Sequence, residues 1–406
     1  MTLPVGPDYQ LFLLPALTAA EASAWGSVAM EYAAAFQPVQ FARDPATIDW
    51  SGYQHVTIVR PSFWPSDLPL VIKQANPQAV IDRIPVDTPE ALQLVLNARV
   101  LYGWRYGPQS SFDWSKLWPP GVSLIGLHGR ADGNLQDADY AVIQRARIEA
   151  VKLTSQAGPE TVKRLRALKP DLFILLRPIV SFWQNNRAVP PISPAQFYEY
   201  TWRDVAKHYD VDAGIRYIEI HNEPNTRFEG LGGTWSSGQE FGQWFLDVMQ
   251  LFRQRFPDAK FGFPGLSPGK KTSNEEGRID PQVFLGDALS AAQQADWVGV
   301  HAYWTNELEM ADTALGLNVT HYRDLFPEKV LFITEFGNPA QSRAEVGAQY
   351  ARYYGMLRHL NGLGGAFAYL VSTPDPAESA RWAWRDEAGN DTGIADVVGA
   401  RTYIQP

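Results

Sequence analysis

The chain has 406 residues, a formal net charge of −9 and no cysteine. That length exceeds one ordinary domain, so a large domain with a smaller companion is expected. The missing thiols exclude disulfides and thiolate metal sites, the acidic balance disfavours nucleic acid as a partner, and no stretch is long and apolar enough to span a bilayer.

The opening "MTLPVGPDYQLFLLPALTAAEASAW" lacks the basic region of a secretory signal. If a signal or anchor was trimmed ahead of it, the protein is expected to be secreted or held at the cell surface. Residues 1 to about 110 predict a small α/β layer. "YQLFLLP", "HVTIVRP" and "AVIDRIPV" have strand patterns, while "TAAEASAWGSVAMEYAAAF", "SDLPLVIKQAN" and "TPEALQLVLNARVL" have helical ones. The segment 106–121, "YGPQSSFDWSKLWPPG", has linker composition. The expected division is therefore 1–110 for an accessory domain and 111–406 for a second, larger one.

From about residue 120 strands and helices alternate regularly. Strand-like runs are "GVSLIGLHG" (121–129), "ARIEAVKLT" (146–154), "DLFILLRPIV" (171–180) and "IRYIEIHNE" (215–223). Four more follow: "AKFGFPGL" (259–266), "DWVGVHAYW" (296–304), "KVLFITEFG" (329–337) and "GAFAYLVS" (365–372). All are apolar on both faces, as buried parallel strands require. Helical segments separate them, one of which has Ser193 as its predicted N-cap and Pro194 at its first position. Eight such units predict a (β/α)8 TIM barrel whose reactive residues sit at the C-terminal ends of the strands.

Two of those ends carry a carboxylate. Glu223 stands in Asn-Glu-Pro, where Pro224 is expected to stop the strand at its rim, and Glu335 stands in "ITEFG". They close the fourth and seventh predicted strands, which face one another across a barrel mouth. A pair of carboxyls so placed is what cleavage of a glycosidic bond needs. Asn222 beside Glu223 is suited to hydrogen-bond a sugar hydroxyl. On the sixth strand His301 and Tyr303 are two apart and share a face. Lys152 lies late in the second strand and Arg177 ends the third. His128 ends the first strand, where it either touches a sugar or caps a turn. With 14 Trp, flat indole faces are available to stack on sugars or to fill a large core. Trp304, Trp382 and Trp384 are candidates for stacking, and Trp183 and Trp235 also lie in loops after strands.

"EIHNEPN" and "TEFG" resemble the clan of retaining glycoside hydrolases built on this barrel, in particular its cellulase/mannanase-like and β-xylosidase-like members. The resemblance covers about residues 120–400. It implies Glu223 as acid/base, Glu335 as nucleophile, His301 beside the former and Tyr303 bonded to the latter. The clan usually has an Arg on strand two and a stacking Trp at the end of strand eight. Either Lys152 stands in place of the first or Arg177 supplies that cation from the neighbouring strand, which would hold Glu335 ionised. Leu370 and Ser372 stand in place of the second, with Trp382 or Trp384 reaching back from the next loop.

The expected function is thus retaining hydrolysis of β-linked oligo- or polysaccharide, with the two carboxyls roughly 5–5.5 Å apart. Alternatives are a transglycosylase using the same intermediate and a non-catalytic carbohydrate-binding barrel. β-Glucan, mannan and xylan all remain open as substrates, as does endo or exo attack. A metal held by His128, His221 and His301 is disfavoured, because His221 alternates with Asn222 and should face the barrel wall. No Gly-x-Gly-x-x-Gly follows a strand, so a dinucleotide site is not expected, and the expected chemistry calls for no cofactor. A monomer with a carbohydrate as its partner is expected.

Overall fold

This computed structural model describes residues 9–105 except 66, 78, 85, 103 and 104, and residues 117–402 except 269–276, 313, 314, 341, 359 and 361. The predicted linker falls largely on 106–116, outside the described residues, and so does the expected boundary at 110. The chain divides into two compact units, Met1–Phe112 with Thr320–Pro327, and Asp113–Val319 with Glu328–Pro406.

The smaller unit holds a parallel four-stranded sheet in the order β2 (Val39–Ala42), β1 (Gln10–Leu13), β3 (His55–Val59), β4 (Val80–Ile84). Helices Ala19–Ser27, Met30–Ala35, Leu68–Ala75 and Pro89–Tyr102 alternate with the strands. Leu11, Leu13, Val56 and Ile58 of the sheet pack against Trp50, Trp64, Leu68 and Ile72. The sequence pattern misses β2, whose four residues are all only partly buried and so lack an apolar run.

The larger unit is a closed barrel of eight parallel strands. In chain order they are β5 (Leu124–His128), β6 (Ala150–Thr154), β7 (Phe173–Arg177), β10 (Tyr217–Glu219), β11 (Lys260–Phe263), β12 (Trp297–Tyr303), β13 (Val330–Gly337) and β14 (Leu363–Ala368). The eighth pairs with the first, closing the ring. A two-stranded hairpin, β8 (Trp183–Gln184) and β9 (Arg187–Ala188), interrupts the loop after β7. The intervening helices start where capping chemistry dictates. Ser193 accepts from the Gln196 amide with Pro194 in the first turn, and Asp280 accepts from the Gln282 and Val283 amides ahead of Pro281.

Large side chains fill the N-terminal end of the barrel. Trp118, Phe173, Trp297, Phe332 and Phe367 pack there with Tyr217, and Phe173 lies stacked on Phe332. Each such side chain contributes about 1.5–3 kcal/mol when fully buried. Gly262 makes room for this plug, since a Cβ there would come 2.2 Å from the Trp297 ring. With apolar bulk committed to that end, the polar residues of the strands collect at the other. Among the described residues no helix is long and apolar enough to cross a membrane.

Candidate active site

The C-terminal ends of the strands converge on Glu335, which lies in β13 directly opposite His301 of β12. Its Oε1 atom accepts from Arg177 Nη1 at 2.7 Å and from Lys152 Nζ at 3.2 Å. Its Oε2 atom accepts from the Tyr303 hydroxyl at 2.9 Å. His128 Nε2 is 3.8 Å from Oε1, and His301 Nδ1 is 3.8 Å from Oε2. Burial pulls this carboxyl up, but Lys152, His301 and Arg177 together outweigh it and hold Glu335 well below the usual carboxylate range. The choice between Lys152 and Arg177 therefore does not arise, because both reach the same oxygen.

Lys152 is wholly buried and survives there because it is surrounded by acceptors. Its Nζ lies 2.7 Å from Glu219 Oε2 and 3.3 Å from the Thr334 carbonyl, besides Glu335. Burial raises the Glu219 carboxyl, but Lys152 and Arg177 more than reverse this and leave it lowered. Two cations and two carboxylates thus offset one another inside the barrel, the condition under which buried charge is tolerated. Burial, with Lys152 and Arg177 nearby, drops His128 to about 3, so its ring is neutral near neutral pH.

Glu223 is delivered differently from Glu335. The fourth barrel strand ends at Glu219, four residues earlier than the apolar run implied. His221 at φ +79° and Glu223 at φ +35° are both in left-handed backbone, which L-residues with side chains adopt only at a cost. The turn is nevertheless fixed. The Glu223 amide donates to the Gly265 carbonyl at 3.1 Å, and Trp235 Nε1 donates to the Pro224 carbonyl at 2.8 Å. The Glu223 carboxyl meets His301 Nδ1 at 2.8 Å. His221 points away, into a box of Phe182, Phe197, Trp235, Phe241 and Trp244, with Nε2 at 2.7 Å from the Glu229 carbonyl.

Asn222 is clamped at both ends. Its Oδ1 accepts from Arg177 Nη1 at 2.5 Å and its Nδ2 donates to Glu229 Oε1 at 2.9 Å. Glu223, His301 and Glu335 offer atoms within 4.8 Å of one another, a spacing that a metal ion also accepts. Two cationic side chains on Glu335 oppose that use of the site.

The three Trp candidates part company. Trp382 is partly buried, with its ring edge-on to Tyr303 at 5.2 Å and to Tyr369 at 5.9 Å, so it walls the site. Trp304 and Trp384 do not reach it, a correction to the expectation that they stack on a ligand. Trp304 lies flat on Phe336 and donates Nε1 to Gln349, and Trp384 is wholly buried beside Tyr350. Leu370 and Ser372 are also buried, Ser372 donating to Asp139.

Three site residues escaped the sequence reading. Glu219 had a signal, an acid inside an otherwise apolar strand. Tyr369, just past β14 and 5.3 Å from the His128 ring, had a weaker one in its position at a strand end. Glu229, in a loop, had none.

No family model matches the chain, and no curated protein matches it. Solved structures do. An endo-β-1,3-glucanase of family 128, subgroup II, from Sorangium cellulosum is 19% identical with a TM-score of 0.48, over 68% of this chain and 98% of that one. A glucosidase from Croceicoccus marinus is 15% identical with a TM-score of 0.49, over 68% of this chain and 67% of that one. A family 39 glycoside hydrolase from Bacteroides cellulosilyticus is 16% identical with a TM-score of 0.46, over 73% of this chain and 66% of that one.

Proposed function

We propose that this chain is a retaining β-glycoside hydrolase acting on β-linked oligo- or polysaccharide. The observation that carries the reading is the pairing of Glu223 and Glu335, which bring one carboxylate oxygen each to within 4.8 Å of the other. That spacing suits direct attack by one carboxylate, whereas inverting enzymes leave room for a water at roughly 6.5–9.5 Å.

In the first step a Glu335 oxygen bonds to the anomeric carbon while the glycosidic C–O bond breaks. Glu223 gives its proton to the departing oxygen. In the second, water attacks the same carbon, its proton passes to Glu223, and the ester to Glu335 breaks. Arg177, Lys152 and Tyr303 keep Glu335 anionic and aimed. Ester formation removes the Glu335 charge from beside Lys152 and Arg177, while Glu219 remains as the carboxylate paired with Lys152.

A 2,4-dinitrophenyl 2-deoxy-2-fluoro-β-glycoside tests this directly. Peptide mass spectrometry should find the sugar on Glu335, and NMR of a cleaved substrate should show β-product first. Label on another residue, or initial α-product, would overturn the assignment. Excess sugar acceptor during the same assay separates hydrolysis from transfer.

A further inference from the structure

We propose that Glu229 is a specificity-determining residue which, from its place beside Asn222, recognises the hydroxyl on the sugar carbon next to the anomeric one. The inference rests on the glycoside-cleaving reading and adds to it a contact that Glu223 and Glu335 do not supply.

Glu229 ends the short turn Arg227–Glu229 that follows the Asn-Glu-Pro segment. A continuous line of side chains joins it to Glu335: Glu335 Oε1 to Arg177, Arg177 to Asn222, Asn222 to Glu229, at 2.7, 2.5 and 2.9 Å. The turn that carries it is pinned. His221 holds its carbonyl, and the next residue, Gly230, sits at φ +115° with its missing Cβ only 2.8 Å from the Trp235 ring. No other residue type fits there without moving the tryptophan.

The two oxygens of Glu335 define two sides of the site. On the Oε2 side stand Tyr303 and His301, and on the Oε1 side stand Arg177, Asn222 and Glu229. A carbon bonded to Glu335 has two ring neighbours, the ring oxygen and C2. The ring oxygen has no proton to give and becomes positive in the transition state. The C2 hydroxyl both donates and accepts, so it needs a mixed environment. The Oε1 side is the mixed one, but its acceptors are scarce. Arg177 only donates, and Glu335 Oε1 is already shared by two cations. The Glu229 carboxyl supplies what is missing, and among the described residues its Oε2 atom has no hydrogen-bond partner. Burial pushes this carboxyl up to about 7, and in either protonation state it still presents an acceptor oxygen.

The test compares kcat/KM for the 4-nitrophenyl β-glycoside that the parent cleaves best with that for its 2-deoxy counterpart, in the parent, Glu229→Ala, Glu229→Gln and Glu229→Asp. The parent should disfavour the 2-deoxy compound. Glu229→Ala should shrink that ratio by about tenfold to a hundredfold, the reach of a charge-assisted hydrogen bond. Glu229→Gln should lose most of it too, because its single carbonyl is taken up by Asn222 Nδ2 and its amide nitrogen cannot accept. A purely structural role would slow both substrates alike. An active Glu229→Ala variant with an unchanged ratio overturns the inference, and so does a parent that does not discriminate, whether or not the variant folds. A parent inactive on β-glucosides, β-mannosides and β-xylosides overturns the glycosidase reading as well, which distinguishes the two failures.

Discussion

His301 holds its Nδ1 2.8 Å from Glu223 Oε1, the one side-chain hydrogen bond to that carboxyl among the described residues. Its ring can lie there only because residue 265 is glycine. A Cβ on Gly265 would come 2.1 Å from His301 Cδ2. The same glycine accepts from the Glu223 amide and donates to Glu219 Oε1 at 3.3 Å. Gly265→Ala is therefore expected to push the imidazole off its carboxylate partners. Misplacement of about an ångström costs on the order of 10²-fold in rate. Steady-state kinetics should show that loss in kcat, with the Gly265→Ala/His301→Ala double variant little worse than either single one. Additive losses would mean that the glycine acts elsewhere.

The Lys152–Glu219 pair lies wholly inside the barrel. Breaking such a pair leaves a buried charge uncompensated, at about 3–5 kcal/mol. Lys152→Met should show that loss in urea unfolding. Adding Glu219→Gln removes the orphaned carboxylate and should restore part of the stability. Activity should not return with it, because Glu335 would still lack one of its cations. Recovery of both together would show that Lys152 matters only to folding.

These two cases mark what was legible in the chain. Buried parallel strands must be continuous apolar runs, so all eight barrel strands stood out, as did strand-end residues such as Arg177 and His301. Glu223 was legible by type and position but not by backbone. Nothing in "IEIHNE" shows that His221 and Glu223 turn to positive φ and end the strand early. The role of each Trp was not legible either, since burial depends on what packs over it. Glu229 was hidden because a loop has no periodicity, and its partner Asn222 is adjacent only in space.

Stability should fall with acid in a way that His221 partly sets. Burial lowers its ring to about 3, against about 6.5 when exposed. The folded state therefore holds it neutral while the unfolded chain takes up a proton below about 6.5. Its contribution is fully present above that pH and is lost as pH falls toward 3, at about 1.4 kcal/mol per pH unit. His128, at about 3, and His321, at about 4, act in the same direction. His221→Asn, a residue that tolerates the φ of +79°, should be less stable at pH 7 yet show a shallower decline between pH 6 and 4 in urea midpoints. An unchanged slope would mean that the ring already takes up its proton in the folded state.

Trp382 and Trp384 are two residues apart and should behave oppositely. Trp384 is fully buried beside Tyr350, so Trp384→Ala opens a cavity worth about 3–5 kcal/mol. Its effect belongs in the thermal midpoint. Trp382 instead ends the helix Pro376–Trp382 and packs over Gly337, where an added Cβ would come 2.9 Å from its ring. Gly337 is two residues beyond Glu335, and Tyr303, which holds Glu335, lies against the same indole. Part of this ring remains exposed, and an apolar face next to the reacting carboxylate is suited to the C–H face of a sugar. Trp382→Ala should thus raise KM for aryl β-glycosides several-fold while the thermal midpoint shifts far less than in Trp384→Ala. If the two variants lose stability alike and KM stays put, Trp382 is packing and does not face the ligand.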